Sequence, residues 1–241
     1  MKTFFFEQLN STNDYLKRFV SEHSSDDCKE TVCCCAFSQT SGRGRNGRSF
    51  SSGEGGLYIS FLEYGIAEPA NITLKTSVRI LKILEDFFNI DLKIKWVNDI
   101  VLDGRKCVGI LVESGPGYCI SGIGINVFNA IPEDLKYRAV SILGESRRDV
   151  VTERKMLCDL ADRIIRGWSE PLGSAWMDEY RRKSSVLGSE CELYDVCGNK
   201  IANGIAVDFA QDGSIVLDEE GVLKSYLSGE LLYSLRSGGE L

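Results

Sequence analysis

Histidine is the scarcest functional residue in this chain of 241 residues, with His23 the only one. That rules out imidazole-rich metal sites and weakens any triad that needs a histidine base. Proline is also scarce, with 4 residues. Long apolar runs are absent: no window approaches the ~20 residues of a membrane-spanning helix. The stretch Thr3-Phe4-Phe5-Phe6 is too short for a secretory signal. Positive charge is in deficit, with 28 basic residues against 35 acidic ones and a net charge of −7. Sequence-independent binding to nucleic acid is therefore not expected. There is no internal repeat and no low-complexity tract. These absences leave a cytoplasmic protein with neither membrane nor nucleic acid as partner.

What remains is an ordinary globular composition, 43% hydrophobic and 26% charged, with 9 cysteines in no framework spacing. Cys33, Cys34 and Cys35 are consecutive. On a strand they alternate faces, so they cannot converge on one metal. Buried, reduced thiols are the expectation, with Cys191 and Cys197 in the core of a small barrel.

Ser11 to about Glu22 reads as a helix, with Ser11 as N-cap and Leu16, Phe19 and Val20 as its apolar stripe. Thr31–Ser38 and Leu57–Phe61 read as strands, Leu74–Asn89 as a helix and Leu92–Trp96 as a short strand. Ile100–Val112 is a hairpin turning at Asp103-Gly104, and Tyr118–Val127 another strand. Helices are predicted over Thr152–Trp168 and Ser174–Arg182. Beyond Ser184, short strands punctuated by Gly198-Asn199, Asp212-Gly213 and Glu220-Gly221 suggest a small β-barrel. The reading is α+β: a mixed or antiparallel sheet with packed helices over residues 1–185, then a barrel over 186–241.

Residues 41–48, Ser-Gly-Arg-Gly-Arg-Asn-Gly-Arg, set Arg43, Arg45 and Arg48 on a glycine-loosened backbone. Gly42-x-Gly44-x-x-Gly47 matches the dinucleotide fingerprint formally, but that fingerprint needs a helix starting at the loop. A Ser- and Gly-rich stretch and a strand follow instead. A Walker loop fails for want of Gly-Lys-Ser/Thr. An arginine–glycine nucleic-acid segment and a merely solvated loop are weaker readings than a loop closing over a bound anion, with arginines neutralising phosphate. Ser11-Thr12-Asn13 either caps its helix or offers polar groups to a ligand. Lys95-Trp96-Val97-Asn98-Asp99 crowds a cation, an amide and a carboxylate at a strand end, where Asp99 either serves a ligand site or simply pairs with Lys95 or caps a turn. Lys106, on the hairpin, projects toward the same cleft. Gly122-Ile123-Gly124-Ile125-Asn126 allows close backbone approach.

These segments, with Gln39 and Gly104-Arg105-Lys106-Cys107-Val108-Gly109-Ile110-Leu111, resemble biotin protein ligases in order and spacing. The resemblance reaches Gly229-Glu230 and Leu235-Arg236. It departs at Val97, where the family usually has proline. No winged-helix DNA-binding domain is expected, since the first strand starts close to Met1.

The resemblance implies a catalytic domain like that of class II aminoacyl-tRNA synthetases plus an SH3-like β-barrel. It implies an enzyme that makes biotinyl-5′-AMP from biotin and ATP with Mg²⁺, then transfers biotin to a lysine of a biotin carboxyl carrier protein domain. Lys106, Arg45 and Asp99 are the implied catalytic residues. Ser11, Thr12, Asn13, Gln39, Arg43, Gly44, Arg45, Lys106 and Gly122 would bind biotin. Arg43, Arg45, Arg48, Lys95, Trp96, Asn98, Asn126 and Arg236 would bind ATP. No protein metal site is implied beyond Mg²⁺ carried by ATP. Asp99 would orient Lys106 or Mg²⁺, or activate the incoming lysine. A homodimer is compatible with the resemblance. The alternatives are a lipoate ligase or octanoyl transferase, and a non-catalytic biotin or nucleotide sensor.

Overall fold

The computed structural model describes residues 1–23, 30–66, 71–145 and 149–234. Leu235-Arg236, and with it the expected nucleotide contact of Arg236, lies outside the described residues.

In chain order come β1 (Lys2–Phe6), α1 (Thr12–Glu22), β2 (Val32–Ala36), β3 (Leu57–Tyr64) and α2 (Ile72–Phe88). Then follow β4 (Lys93–Lys95), β5 (Asp99–Leu102), β6 (Arg105–Gly115), β7 (Tyr118–Ile125), α3 (Val150–Trp168) and α4 (Trp176–Lys183). The seven strands form one sheet in the order β1-β2-β3-β7-β6-β5-β4. Only β1 and β2 pair in parallel; the remaining neighbours are antiparallel.

Both faces of the sheet are covered, which explains why β2 is apolar throughout rather than alternating. Cys34 packs with Leu16 and Phe19 of α1 in a small core. Cys33 and Cys35 point the other way, into the main core with Val78 and Leu81 of α2 and Leu160 and Ile164 of α3. Trp168, at the end of α3, stacks on Phe61 with ring centroids 3.8 Å apart. Ser11 caps α1, its hydroxyl accepting from the Asp14 amide at 3.4 Å. Asp149 caps α3 through the Thr152 amide at 2.9 Å.

Five further strands, β8 (Glu190–Tyr194), β9 (Lys200–Phe209), β10 (Ile215–Glu219), β11 (Val222–Tyr226) and β12 (Glu230–Ser234), make an antiparallel sheet ordered β11-β10-β9-β8-β12. This sheet fits a small barrel, although β11 and β12 do not pair with each other among the described residues. It docks on the larger unit through Trp96 Nε1, which donates to the Gly213 carbonyl (3.0 Å), and Asn71 Nδ2, which donates to that of Gln211 (2.6 Å). Cys191 is buried in this shared core. Cys197 corrects the expectation: it is exposed. It sits in the β8–β9 turn, where its amide donates to Asp195 and Gly198 takes a φ of 83°. Among the described residues no helix is long and apolar enough to cross a membrane.

Candidate active site

The cleft lies where the α1 face of the sheet meets the Ser41–Phe50 segment and the second sheet. Its floor is glycine. Gly109 of β6 and Gly124 of β7 are cross-strand partners, and Gly122 faces Leu111. A Cβ on Gly122 would come within 2.2 Å of Asn13 Oδ1, and one on Gly124 within 2.6 Å of the Phe50 ring. These strands therefore need glycine so that side chains from elsewhere can lie against their backbone.

Lys106 reaches this floor because of a bulge between β5 and β6. The register shifts after Ile100, so Val108 pairs with Ile100 and Lys106 with Val101. Cys107 and Val108 consequently both point into the core. Lys106 and Gly109, which strict alternation would place on opposite faces, share the cleft. The turn beyond it, Asp103-Gly104, has φ of 49° and 75°, the two-residue hairpin geometry that favours Asp-Gly.

The Ser41–Phe50 segment folds back on itself: Gly44 N donates to Arg48 O at 2.7 Å, and Phe50 N to Gly42 O at 2.9 Å. Its three guanidinium groups diverge. Arg43 turns to α1 and β6, pairing with Asp14 at 2.6 Å and Glu113 at 3.4 Å. Arg45 reaches inward to donate to Asn98 Oδ1 at 3.2 Å. Burial depresses its pKa, opposed by the negative charge of Asp99. Arg48 pairs with Glu230 of β12. The Trp96–Val97 peptide is cis, and the turn after it is pinned by a reciprocal pair of bonds. Asn98 Nδ2 donates to Ile110 O (3.0 Å) and Ile110 N to Asn98 O (2.9 Å).

Three adjoining cavities result. The first encloses about 480 Å³ including its mouth, and Ser11, Thr12, Asn13, Gln39, Arg43, Gly44, Arg45, Asn98, Lys106 and Gly122 all line it. Gln39 Oε1 accepts from the Thr12 amide at 2.8 Å and lies 3.2 Å from Thr12 Oγ1, while its Nε2 donates to Ser52 at 3.0 Å. The second cavity gathers Arg45, Arg48, Lys95, Trp96, Asn98, Asp99 and Lys106 with Gly229 and Glu230. The third is larger, about 1410 Å³ with its open mouth, and is lined by Arg48, Lys95, Asp99, Lys106, Asn126, Tyr137 and Arg138 among others. Lys106 and Phe50 line all three. Lys106 Nζ sits 2.6 Å from Asp99 Oδ1 and 5.6 Å from the centre of the Phe50 ring.

Every described residue named from the sequence thus borders this chain of cavities. Arg43, expected at both biotin and ATP, lines the first cavity, where two carboxylates hold its guanidinium. Sequence reasoning missed Phe50, which lines all three cavities, Glu113, which pairs with Arg43, and Ser60, whose buried hydroxyl touches Thr12 and Asn13. Ser60 and Glu113 carried a faint signal as polar residues in or at the end of apolar strands; Phe50 carried none.

A small polar pocket joined to a larger basic one through a lysine is the layout of an enzyme joining a small acid to a nucleotide. The comparisons agree. Residues 5–128 match the model of the biotin/lipoate A/B protein ligase family, and the chain belongs to that family. It is 29% identical to the bifunctional ligase/repressor BirA of Salmonella typhimurium, over 95% of this chain and 72% of that protein. It is 28% identical to the biotin–[acetyl-CoA-carboxylase] ligase of Mycobacterium tuberculosis, over 94% of this chain and 86% of that one. Among solved structures it resembles the biotin protein ligase of Aquifex aeolicus in complex with biotin and ATP, with a TM-score of 0.77, 29% identity and coverage of 97% and 98%.

Proposed function

We propose that this protein is an ATP-dependent biotin protein ligase, which activates biotin as biotinyl-5′-AMP and transfers the biotinyl group to a lysine of a biotin carboxyl carrier domain. The relatives cited above are biotin ligases, which does not favour lipoate as substrate. The observation that carries the reading is that one amine, Lys106, borders both the small polar pocket and the larger basic cleft.

Two anions must meet in the first step. A biotin carboxylate oxygen attacks the α-phosphorus of ATP; a new P–O bond forms, the bond to the bridging oxygen breaks, and pyrophosphate leaves. Lys106, placed at the junction, would offset the charge of both groups and hold them in line. Asp99, 2.6 Å from that amine, would fix its direction. Arg45, Arg48 and Lys95 would neutralise the phosphates. Mg²⁺ would arrive with ATP, held mainly by the nucleotide phosphates. Ser11, Thr12, Asn13, Gln39 and Gly122 would take the ring end of biotin, with the arginine segment over it. In the second step the carrier lysine attacks the acyl carbon, loses a proton, and AMP departs. The segment covering the pocket would keep water from the reactive mixed anhydride meanwhile. We assign this chemistry to residues 1–185. Residues 186–241 would close the nucleotide side through Glu230.

The defining experiment mixes the protein with biotin, Mg-ATP and a biotin carrier domain and looks for the biotinyl mass gain on one lysine. Lys106→Ala should keep biotin binding by calorimetry but lose at least ~100-fold in biotin-dependent pyrophosphate exchange, the loss expected for one transition-state charge donor. Exchange at the wild-type rate would remove Lys106 from the chemistry.

A further inference from the structure

Ser60 is a fully buried polar residue of β3, and its hydroxyl sits between two oxygens. Thr12 Oγ1 is 2.7 Å away and Asn13 Oδ1 2.6 Å away. A hydroxyl has one hydrogen to give, and each of these short contacts needs one. Which oxygen receives it is decided two bonds further on, by Glu113. The Asn13 amide donates its nitrogen to Glu113 Oε2 at 2.8 Å and lies 3.4 Å from the Leu111 carbonyl. A carboxylate and a carbonyl can only accept, so the amide nitrogen of Asn13 must face them and its oxygen must face Ser60. That oxygen carries no hydrogen, so Ser60 gives its own to Asn13. The 2.7 Å contact then needs the hydrogen of Thr12.

The structure thus assigns Glu113 a role as a positioning residue: its negative charge orients a hydrogen-bond chain, Thr12 to Ser60 to Asn13 to Glu113. The chain leaves Thr12 Oγ1 purely an acceptor toward the first cavity. Beside it stands Gln39 Oε1, already fixed as an acceptor by the Thr12 amide. The 3.2 Å contact between Thr12 Oγ1 and Gln39 Oε1 is the competing place for the Thr12 hydrogen. With that hydrogen committed to the shorter Ser60 contact, both oxygens act as acceptors, which suit a ligand that presents N–H donors and repel one that presents only acceptors. This rests on the reading that the first cavity takes the ureido ring of biotin.

Glu113 keeps its charge because its other oxygen is held by Lys17 at 2.7 Å and approached by Arg43 at 3.4 Å. Those cations also make the test sharp. In Glu113→Gln, a side chain of nearly the same shape, they draw the new carbonyl oxygen to themselves and turn the NH₂ toward Asn13. Asn13 then flips, Ser60 donates to Thr12, and the freed Thr12 hydrogen turns toward Gln39 Oε1, 3.2 Å away, where it competes with a ligand N–H. The polarity of the chain reverses without any loss of volume.

The test is calorimetric, on the full chain, with biotin and ATP titrated separately. Glu113→Gln should weaken biotin at least tenfold and leave ATP within about twofold. Ser60→Ala, which cuts the chain in its middle and removes one small group, should weaken biotin as well. The double variant should lose no more than the worse single one, because both act through one chain. Unchanged biotin affinity in Glu113→Gln, equal losses for biotin and ATP, or fully additive losses would overturn the proposal. Failure of the wild-type protein to bind biotin would instead sink the reading of the cavity, and the proposal with it.

Discussion

At the scale of single residues, the site depends on what is missing as much as on what is there. Gly122 permits the Asn13 amide to lie against the β7 backbone; an added Cβ would sit 2.2 Å from Asn13 Oδ1 and 3.0 Å from Nδ2. Gly122→Ala is therefore expected to displace Asn13, costing ~1–3 kcal/mol of stability by overpacking. It should weaken biotin binding more than ATP binding, which paired titrations and a denaturant melt would reveal. Gly104→Ala is the informative contrast. Nothing lies within 4 Å of the Cβ it would add, but its φ is 75°. It should cost ~1–2 kcal/mol through backbone strain alone and leave both affinities unchanged. If the two variants behave alike, the floor of the cleft is not what positions Asn13.

At the scale of elements, most of the order was readable because the deciding forces are local. The Ser11 cap, the stripe of α1, the Asp-Gly turn and the all-apolar β2 each announce themselves within a dozen residues. Even the divergence of Cys33, Cys34 and Cys35 follows from strand geometry. The bulge that turns Lys106 into the cleft does not, because it is set by how β6 registers against β5. Glu113 was hidden for the same reason: its partner Asn13 is 100 positions away, and only the fold brings them together. Cys197 was misplaced because an apolar residue in a short β segment reads like core, whereas here it falls in the turn itself. A second long-range element contact is equally silent in the sequence. Lys183, at the end of α4, is 7% exposed and pairs with Glu85 of α2 and, at 2.7 Å, with Asp91 ahead of β4. Glu85 also accepts from the Leu92 amide at 2.9 Å. Burial works against the charge of Lys183, and the two carboxylates outweigh it, raising its pKa. Lys183→Ala leaves the partly buried Glu85 carboxylate without its cation and should destabilise the protein by ~1–3 kcal/mol. Pyrophosphate exchange per folded molecule should be unaffected, and a loss of exchange at unchanged stability would place α4 in the chemistry instead.

At the scale of the whole molecule, the core is unusually rich in thiols, and this sets a limit on its alkaline stability. Cys33, Cys34, Cys35, Cys107, Cys119 and Cys191 are buried, while Cys158 and Cys197 are exposed. Burial pushes the pKa of each buried thiol upward, to about 12 for Cys35 and Cys107 and about 11 for Cys191, and still further for Cys33 and Cys34. In the unfolded chain the same thiols ionise near ~8.5. Their protonated state therefore favours the fold fully below that pH, and the advantage is lost as pH rises toward the folded values. Between these limits the unfolded state binds fewer protons, so stability falls with pH, by ~1.4 kcal/mol per unit for each such thiol. Cys33, Cys34, Cys35, Cys107 and Cys191 together would remove ~14 kcal/mol over two pH units, comparable to the ~5–15 kcal/mol that holds a typical domain. Buried Tyr58 and Tyr180, also raised by burial, push the same way. The protein should accordingly be near its most stable at neutral pH and unfold cooperatively between roughly pH 9 and 11 under reducing conditions. Circular dichroism followed along a pH titration would show the transition. Replacing Cys34 by Ala should make it shallower by one thiol's share once its own packing loss is subtracted. At neutral pH, Cys158 and Cys197 should be the only thiols among the eight described ones to react promptly with a disulfide reagent. Stability that stayed level up to pH 11 would mean that the thiols ionise inside the folded core, and that the core is far wetter than its close packing implies.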